Sequence, residues 1–343
     1  MASIKHIRMR FFILVALAVS LSFTTTSAQD LHFSQFYHNP MHLSPASTGM
    51  FRGDMRGAVL YRSQWTSVPV SYQTFAGAFD WKAIRNRTNM VSFGGLLQHD
   101  HAGDGVLSWN QIGITGSVAH AIGATQAIAA GFGVAFAQRN FDISGLKFKN
   151  QWGGDYFDPS LPSKETMGDR SGMIPTFSVG VNWLYEPGDT RTRIQTGIGL
   201  FHLNRPSSGF SGDSESRLPV RLTGHVQLTK QMGEWLDLIA VGALQQMNTA
   251  HEIIAGAGVR RILAMTQTGA ATAVQFTLSS RLGDALIPAF QLERGSWTFG
   301  VSYDWNTSDF EAATNNRGGI ELALIYRTLP VPPPKVFKAC PIF

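Results

Sequence analysis

In this 343-residue chain, His99, Asp100 and His101, with Asp104 and His120 nearby, come closest to a reactive set. Two imidazoles and a carboxylate suit zinc, and alternate residues of a strand share a face. However, the stretch from His99 to Asp104 falls at an expected connection between strands, where solvated side chains account for it. A hydrolase would need a Ser or Asp beside an oriented His, and no local signature of that kind is present. Gly131-Phe132-Gly133 and Gly256-Ala257-Gly258 are not phosphate loops, because no helix follows either one. Small residues there are expected to relieve crowding in a sheet. Gly212-Asp213 and Gly283-Asp284 are turn chemistry. The sequence therefore nominates no catalytic, cofactor-binding or metal-binding residues and implies no cofactor.

The elements around these residues follow period two. Phe177, Val179, Val181, Trp183 and Tyr185 interleave with Ser178, Gly180, Asn182 and Leu184. Val220, Leu222, Val226 and Leu228 share one face, and Arg221, Thr223, His225, Gln227 and Thr229 take the other. Trp297, Phe299, Val301, Tyr303 and Trp305 face away from Thr298, Gly300, Ser302, Asp304 and Asn306. Strands place successive side chains on opposite faces, so each segment has one apolar face and one polar or small face. Strands are expected near 55–63, 71–81, 90–99, 108–119, 125–138, 173–185, 192–203, 218–229, 236–246, 251–260, 272–280, 286–293, 296–305 and 318–327. That is about fourteen, mostly close to the ~10 residues of a membrane-crossing strand. There is no helical stripe of useful length.

The chain opens with Lys5, Arg8 and Arg10, an apolar run over 11–23, and small residues that put Thr26 and Ala28 at a cleavage site. That pattern predicts a secretory signal peptide over 1–28. The rival, a membrane anchor, needs roughly 20 apolar residues. No Cys follows the run to carry a lipid. The signal holds three of the 28 Lys+Arg and none of the 23 Asp+Glu, leaving 25 basic and 23 acidic residues in the rest. The basic balance is thus no argument for nucleic acid. The single cysteine, Cys340, cannot form an internal bridge. Closure of a sheet or a large core must hold the fold.

Residues 139–172, 204–217 and 306–317 are long and polar, whereas the connections after the fourth, sixth, eighth and twelfth strands are short. Glu293-Arg294-Gly295-Ser296 reads as a tight turn. Long loops on one side and short turns on the other is the outer-membrane pattern. Connection 247–250 is too short and 261–271 too long for it, which suggests a misplaced strand. A periplasmic or secreted β-sandwich would show the same alternation. Trp183 with Tyr185, and Trp297 with Trp305, lie at strand ends, where a barrel meets lipid headgroups. The expected fold class is all-β, a transmembrane antiparallel barrel.

The most specific stretch is Gln29-Asp30-Leu31-His32-Phe33-Ser34-Gln35-Phe36-Tyr37-His38-Asn39-Pro40, followed by Leu43-Ser44-Pro45-Ala46-Ser47-Thr48-Gly49. It resembles the opening of the PorP/SprF family, outer-membrane proteins of the type IX secretion system of Bacteroidetes. Tyr61-Arg62-Ser63-Gln64-Trp65 resembles a second family segment, and Lys338-Ala339-Cys340-Pro341-Ile342-Phe343 the family's ending. Leu31 stands where the family has Pro, and Ser44 where it has Asn. On these matches Phe33, Ser34, Gln35, Asn39, Pro40, Pro45, Ala46, Gly49, Tyr61, Arg62, Gln64, Trp65, Cys340, Pro341 and Phe343 are family-motif positions, structural or partner-docking.

The resemblance implies a non-enzymatic component that supports secretion or surface anchoring of some proteins, gliding-motility adhesins among them. Its partners would be other type IX components, the secreted substrate, outer-membrane lipid and a periplasmic protein, and no nucleic acid. A general porin and an outer-membrane hydrolase are the rival readings. Residues 29–54 are expected to form a plug or latch at the periplasmic mouth or in the lumen, since Phe33, Phe36, Tyr37, Met41 and Leu43 are too apolar for a free tail. A bare leader into the first strand is the alternative. The barrel would take 55–327. Pro330, Pro332, Pro333 and Pro334 cannot continue a ladder, so 328–343 would leave as a periplasmic tail.

Overall fold

The computed structural model describes residues 31–328, apart from 65–71, 103–106, 142–145, 155, 165–170, 189, 210–215, 266–270 and 309–316. Fourteen strands follow in order: β1 (Met55–Gln64), β2 (Tyr72–Arg85), β3 (Asn89–Ala102), β4 (Leu107–Ile122), β5 (Gln126–Asn140), β6 (Ile174–Tyr185) and β7 (Arg193–Phe201); then β8 (Arg221–Gln231), β9 (Leu236–Met247), β10 (Ala250–Met265), β11 (Ala271–Arg281), β12 (Ala285–Arg294), β13 (Trp297–Asn306) and β14 (Arg317–Arg327). Each pairs antiparallel with its sequence neighbours, and β1 pairs with β14, so the ring is closed. Closure leaves no strand edge unpaired, which is what a hydrocarbon environment demands of the backbone.

The alternation sorts side chains into two faces as expected. Val226 and Val179 are 43% and 37% exposed on the outer face, while Thr223, Ser302 and Ser178 are buried on the inner one. The outer face is a continuous apolar wall, with Ile112, Ile114, Phe132, Phe276 and Phe290 among its exposed residues. Trp183 stacks on Tyr185 at 6.3 Å, and Trp297 meets Tyr326 at 4.9 Å, both at strand ends. The inner face is where the core lies.

The connections fall at two ends. The loop end carries 65–71, 103–106, 141–173, 202–220, 248–249, 282–284 and 307–316; the turn end carries 86–88, 123–125, 186–192, 232–235, 266–270 and 295–296. Gly295 takes φ +62° in the tight turn between β12 and β13, a conformation that side chains disfavour. Two expectations are corrected here. No strand is misplaced near 250–270: β9 and β10 form a tight hairpin with Met247 opposite Ala250, and β10 extends to Met265 before β11 starts at Ala271. His99, Asp100 and His101 belong to β3, not to a connection, because cross-strand pairing to Asn110, Trp109 and Ser108 carries the ladder past the polar run.

Candidate functional site

Residues 31–54 lie within the ring of strands, and their sequence explains how. Pro40 and Pro45 each open a short 3-10 turn, at Pro40–His42 and Pro45–Ser47, after a first turn at Phe36–His38. The residue before a proline is pushed out of the helical region; Ser44 is extended at φ −159°, ψ 127°. The chain therefore folds into compact turns instead of one helix. Phe33 packs on Leu60, Ala76, Ala323 and Ile325; Phe36 and Leu43 on Ile239, Val241 and Ile254; Ala46 and Met50 on Ala119 and Ala129. Burying such an apolar side chain is worth about 1.5–3 kcal/mol for the larger ones.

The wall makes room for this segment with glycine. A Cβ on Gly131 of β5 would run into the backbone of Pro45 and Ala46, and one on Gly199 of β7 into the Leu43 carbonyl. Gly131 thus serves contact with the N-terminal segment, beyond the relief of crowding expected from sequence. Gly256 and Gly258 do serve the wall, closing on Ser279 and on the Phe276–Thr277 backbone of β11.

Buried charge ties the segment to the two strands that close the ring. Arg62 of β1 stands opposite Glu321 of β14 in register. The Ser34 and Gln35 backbone N–H groups donate to the two oxygens of Glu321 at 2.8 and 2.7 Å. Ser34 Oγ donates to Asp304 of β13 at 2.7 Å. Arg62 donates to Asp304 at 2.6 Å and to the His32 carbonyl at 2.8 Å. Arg281 of β11 reaches Asp304 at 2.9 Å, Ser34 Oγ at 2.7 Å and Glu252 at 3.1 Å. Arg62, Asp304, Arg281 and Glu321 are all at most 4% exposed. Buried charges of this kind persist only when paired and hydrogen-bonded.

Two further ties hold the rest. Asp80 of β2 accepts the Gly49 N–H at 2.7 Å and a bidentate pair from Arg56 at 2.9 and 2.8 Å. Gly49 sits at φ +75°, and a Cβ there would strike Ser92. Arg221 of β8 donates to the His42 ring and carbonyl, both at 3.1 Å, and Thr223 Oγ1 donates to the Leu43 carbonyl. At the turn end Arg52 donates to Glu186 at 2.5 Å, and Arg193 donates to Glu186 and, at 2.7 Å, to the Met50 carbonyl. Partial burial opposes ionisation of Glu186, but Arg193 and Arg52 outweigh it and hold its carboxyl below the usual carboxylate range.

Of the motif positions, Phe33, Ser34, Gln35, Asn39, Pro40, Pro45, Ala46 and Gly49 are all buried within the ring, and Arg62 joins them. Tyr61 alternates to the outer face at 37% exposure, and Gln64 is the last residue of β1. Trp65, Cys340, Pro341 and Phe343 lie outside the described residues. Glu321, Asp304, Arg281, Asp80, Arg56 and Arg221 were not singled out from sequence. A charge on the small-residue face of an alternating strand, as Asp304 is, was the available signal. His99 and His120 point outward, bonded to Asn110 and Asn89, and Asp100 accepts from Thr74 at 2.6 Å. Asp104 is outside the described residues, and among those described no group of His, Cys, Asp and Glu is placed to hold a metal.

A family model described as "Type IX secretion system membrane protein PorP/SprF" matches residues 25–326. No curated protein matches the chain. Among solved structures it is similar to the TodX deltaS2S3 mutant monoaromatic hydrocarbon channel, at 8% identity and TM-score 0.48, covering 84% of this chain and 93% of that one. A FadL homologue of Pseudomonas aeruginosa is similar at 9% identity and TM-score 0.45, covering 82% and 92%. The translocator domain of autotransporter NalP from Neisseria meningitidis gives 8% and 0.36, covering 95% and 97%.

Proposed function

The chain belongs to the PorP/SprF family of type IX secretion system membrane proteins, and from that premise we propose that this barrel supports secretion or surface anchoring of a subset of exported proteins without acting as a solute pore. It is an outer-membrane β-barrel, and its family makes other type IX components its partners. In this reading residues 1–28 direct export and are removed, residues 29–54 close the lumen, and the turn end with the 328–343 tail faces the periplasm. Gliding-motility adhesins are candidate substrates, and the protein catalyses no reaction.

The observation that carries the reading is the seating of residues 32–51. They bury Phe33, Phe36, Met41 and Leu43, and they bond to inward side chains of β1, β2, β4, β6, β8, β13 and β14. A general porin has no need to fill its own lumen with a covalently attached, ionically locked segment.

Surface proteomics of wild-type and deletion strains, with small-solute uptake measured in parallel, tests the assignment. The expected result is loss of some surface proteins with uptake unchanged. A porin predicts slowed uptake with normal secretion, and that outcome in a strain lacking paralogues would overturn the assignment.

A further inference from the structure

The turn end of the barrel encloses an open cavity of about 860 Å³. Its floor is the end of the N-terminal segment, Gly49 to Asp54, and its wall is formed by the β2–β3, β4–β5 and β6–β7 turns and by the ends of β10, β12 and β14. Seven cations line it: Arg52, Lys82, Arg85, Arg87, Arg193, Arg260 and Arg327. Only Asp54, Glu186 and Glu293 oppose them. Glu186 is taken by Arg52 and Arg193, and Glu293 by Arg260 at 2.7 Å. Lys82 donates to the Phe51 carbonyl at 2.7 Å, and Arg327 to Thr298 at 3.3 Å. Among the described residues no carboxylate lies within ion-pair distance of Lys82, Arg85, Arg87 or Arg327.

We propose that this vestibule is a docking site for an extended acidic peptide segment of a partner protein. The cations do not converge on one point. They come from the N-terminal segment, β2 and its turn, β7, β10 and β14, spread around the circumference, which suits carboxylates spaced along a chain better than a single phosphate. The half-buried Met90 and Leu184 also line the cavity and offer apolar contact for the peptide's other side chains. The volume is in the range of ligand-binding clefts, roughly 300–1,000 Å³. A cleft of one charge sign focuses field and draws in the opposite charge.

Docking here also touches the latch. A peptide carboxylate that engages Arg52 or Arg193 competes with Glu186 for the same guanidinium groups, and these hold the floor of the cavity in place. The acidic peptide therefore weakens the hold on residues 49–54 as it binds. The inference rests on the proposed function only for which side of the membrane the vestibule faces. Binding in detergent and secretion in the cell are separate measurements, so either can fail alone.

The test uses the full chain in a non-ionic detergent and fluorescein-labelled hexaglutamate, followed by anisotropy. Hexaglutamate is expected to bind, to bind more weakly as salt rises, and to lose about tenfold in affinity in the Arg85→Gln/Arg87→Gln double variant. Both arginines are exposed, and retention of the heat-dependent gel shift confirms that the variant barrel is intact. Hexaglutamine is expected not to bind, and inorganic phosphate at equal charge not to displace the peptide. No binding of hexaglutamate, equal binding of hexaglutamine, an affinity unmoved by the double variant, or displacement by phosphate alone would each overturn the proposal.

Discussion

Asp304 accepts from Arg62, Arg281 and Ser34 within a site closed to water. Removing one partner of a buried ion pair leaves the other charge uncompensated, at a cost of about 3–5 kcal/mol. Asp304→Asn is therefore expected to lower the temperature at which the purified barrel loses its heat-dependent gel mobility. Ser302→Ala, on the same inner face, removes a buried hydroxyl and adds no bulk, and is expected to shift it far less. Glu186 behaves differently, because it is partly exposed and solvent screens it. Its carboxyl is held below the usual range in the folded protein, so its contribution is complete above the unfolded value and is lost as pH falls through the lowered one. Glu186→Gln is expected to cost up to about 1 kcal/mol at neutral pH. The stability difference from wild type should persist through mild acid and vanish only below the ordinary carboxylate range. A difference that disappears near neutrality would show that Glu186 is not held by Arg52 and Arg193.

The strands set two different tolerances. Val226 is the midpoint of β8 and faces outward. An arginine at a lipid-facing midplane position costs roughly 2–4 kcal/mol, so Val226→Arg is expected to impair assembly in lipid vesicles while Val226→Leu does not. Alternation alone leaves an inward position such as Ser302 freer to accept arginine than an outward one such as Val301. The structure removes that freedom for Ser302, which is 2% exposed on a face already packed against the N-terminal segment. Gly131 and Gly199 carry the opposite kind of constraint, since any side chain there meets the backbone of that segment. Gly131→Val/Gly199→Val is expected to leave the barrel folded but to unseat residues 43–46, read as faster hydrogen exchange confined to residues 31–54. Unchanged exchange would refute the close approach.

For the whole molecule, the packing of Phe33, Phe36 and Leu43 against inward residues of the strands predicts a lumen that this segment obstructs. Deleting residues 31–54 from the protein reconstituted in a planar bilayer is expected to turn a non-conducting or barely conducting barrel into an open channel. High conductance in the intact protein would refute lumen closure by this segment. The barrel without the segment should also unfold at a lower temperature, because the apolar contacts of Phe33, Phe36 and Leu43 and the bonds to Glu321 are lost together.

Period-two alternation is local, so the sequence by itself determined the strand number and, for most strands, the outward and inward faces. The run Trp297 to Trp305 reads as a strand with Asp304 on its polar face whether or not any partner is known, and β13 is that strand. The steric effect of a proline on the residue before it is equally local, and Asn39 and Ser44 both stand outside the α-helical region. Locality is also why the reading failed at His99 to His101: three polar residues look like a loop until β4 pairs with them. Only closure decided what the inner face does. Ser34 and Glu321 are 287 residues apart, and Arg62 and Asp304 are 242 apart. No window of sequence contains both members of either pair. They meet because β1 pairs with β14, which brings the first and last strands together and leaves the buried cations and carboxylates there no solvent in which to stay unpaired.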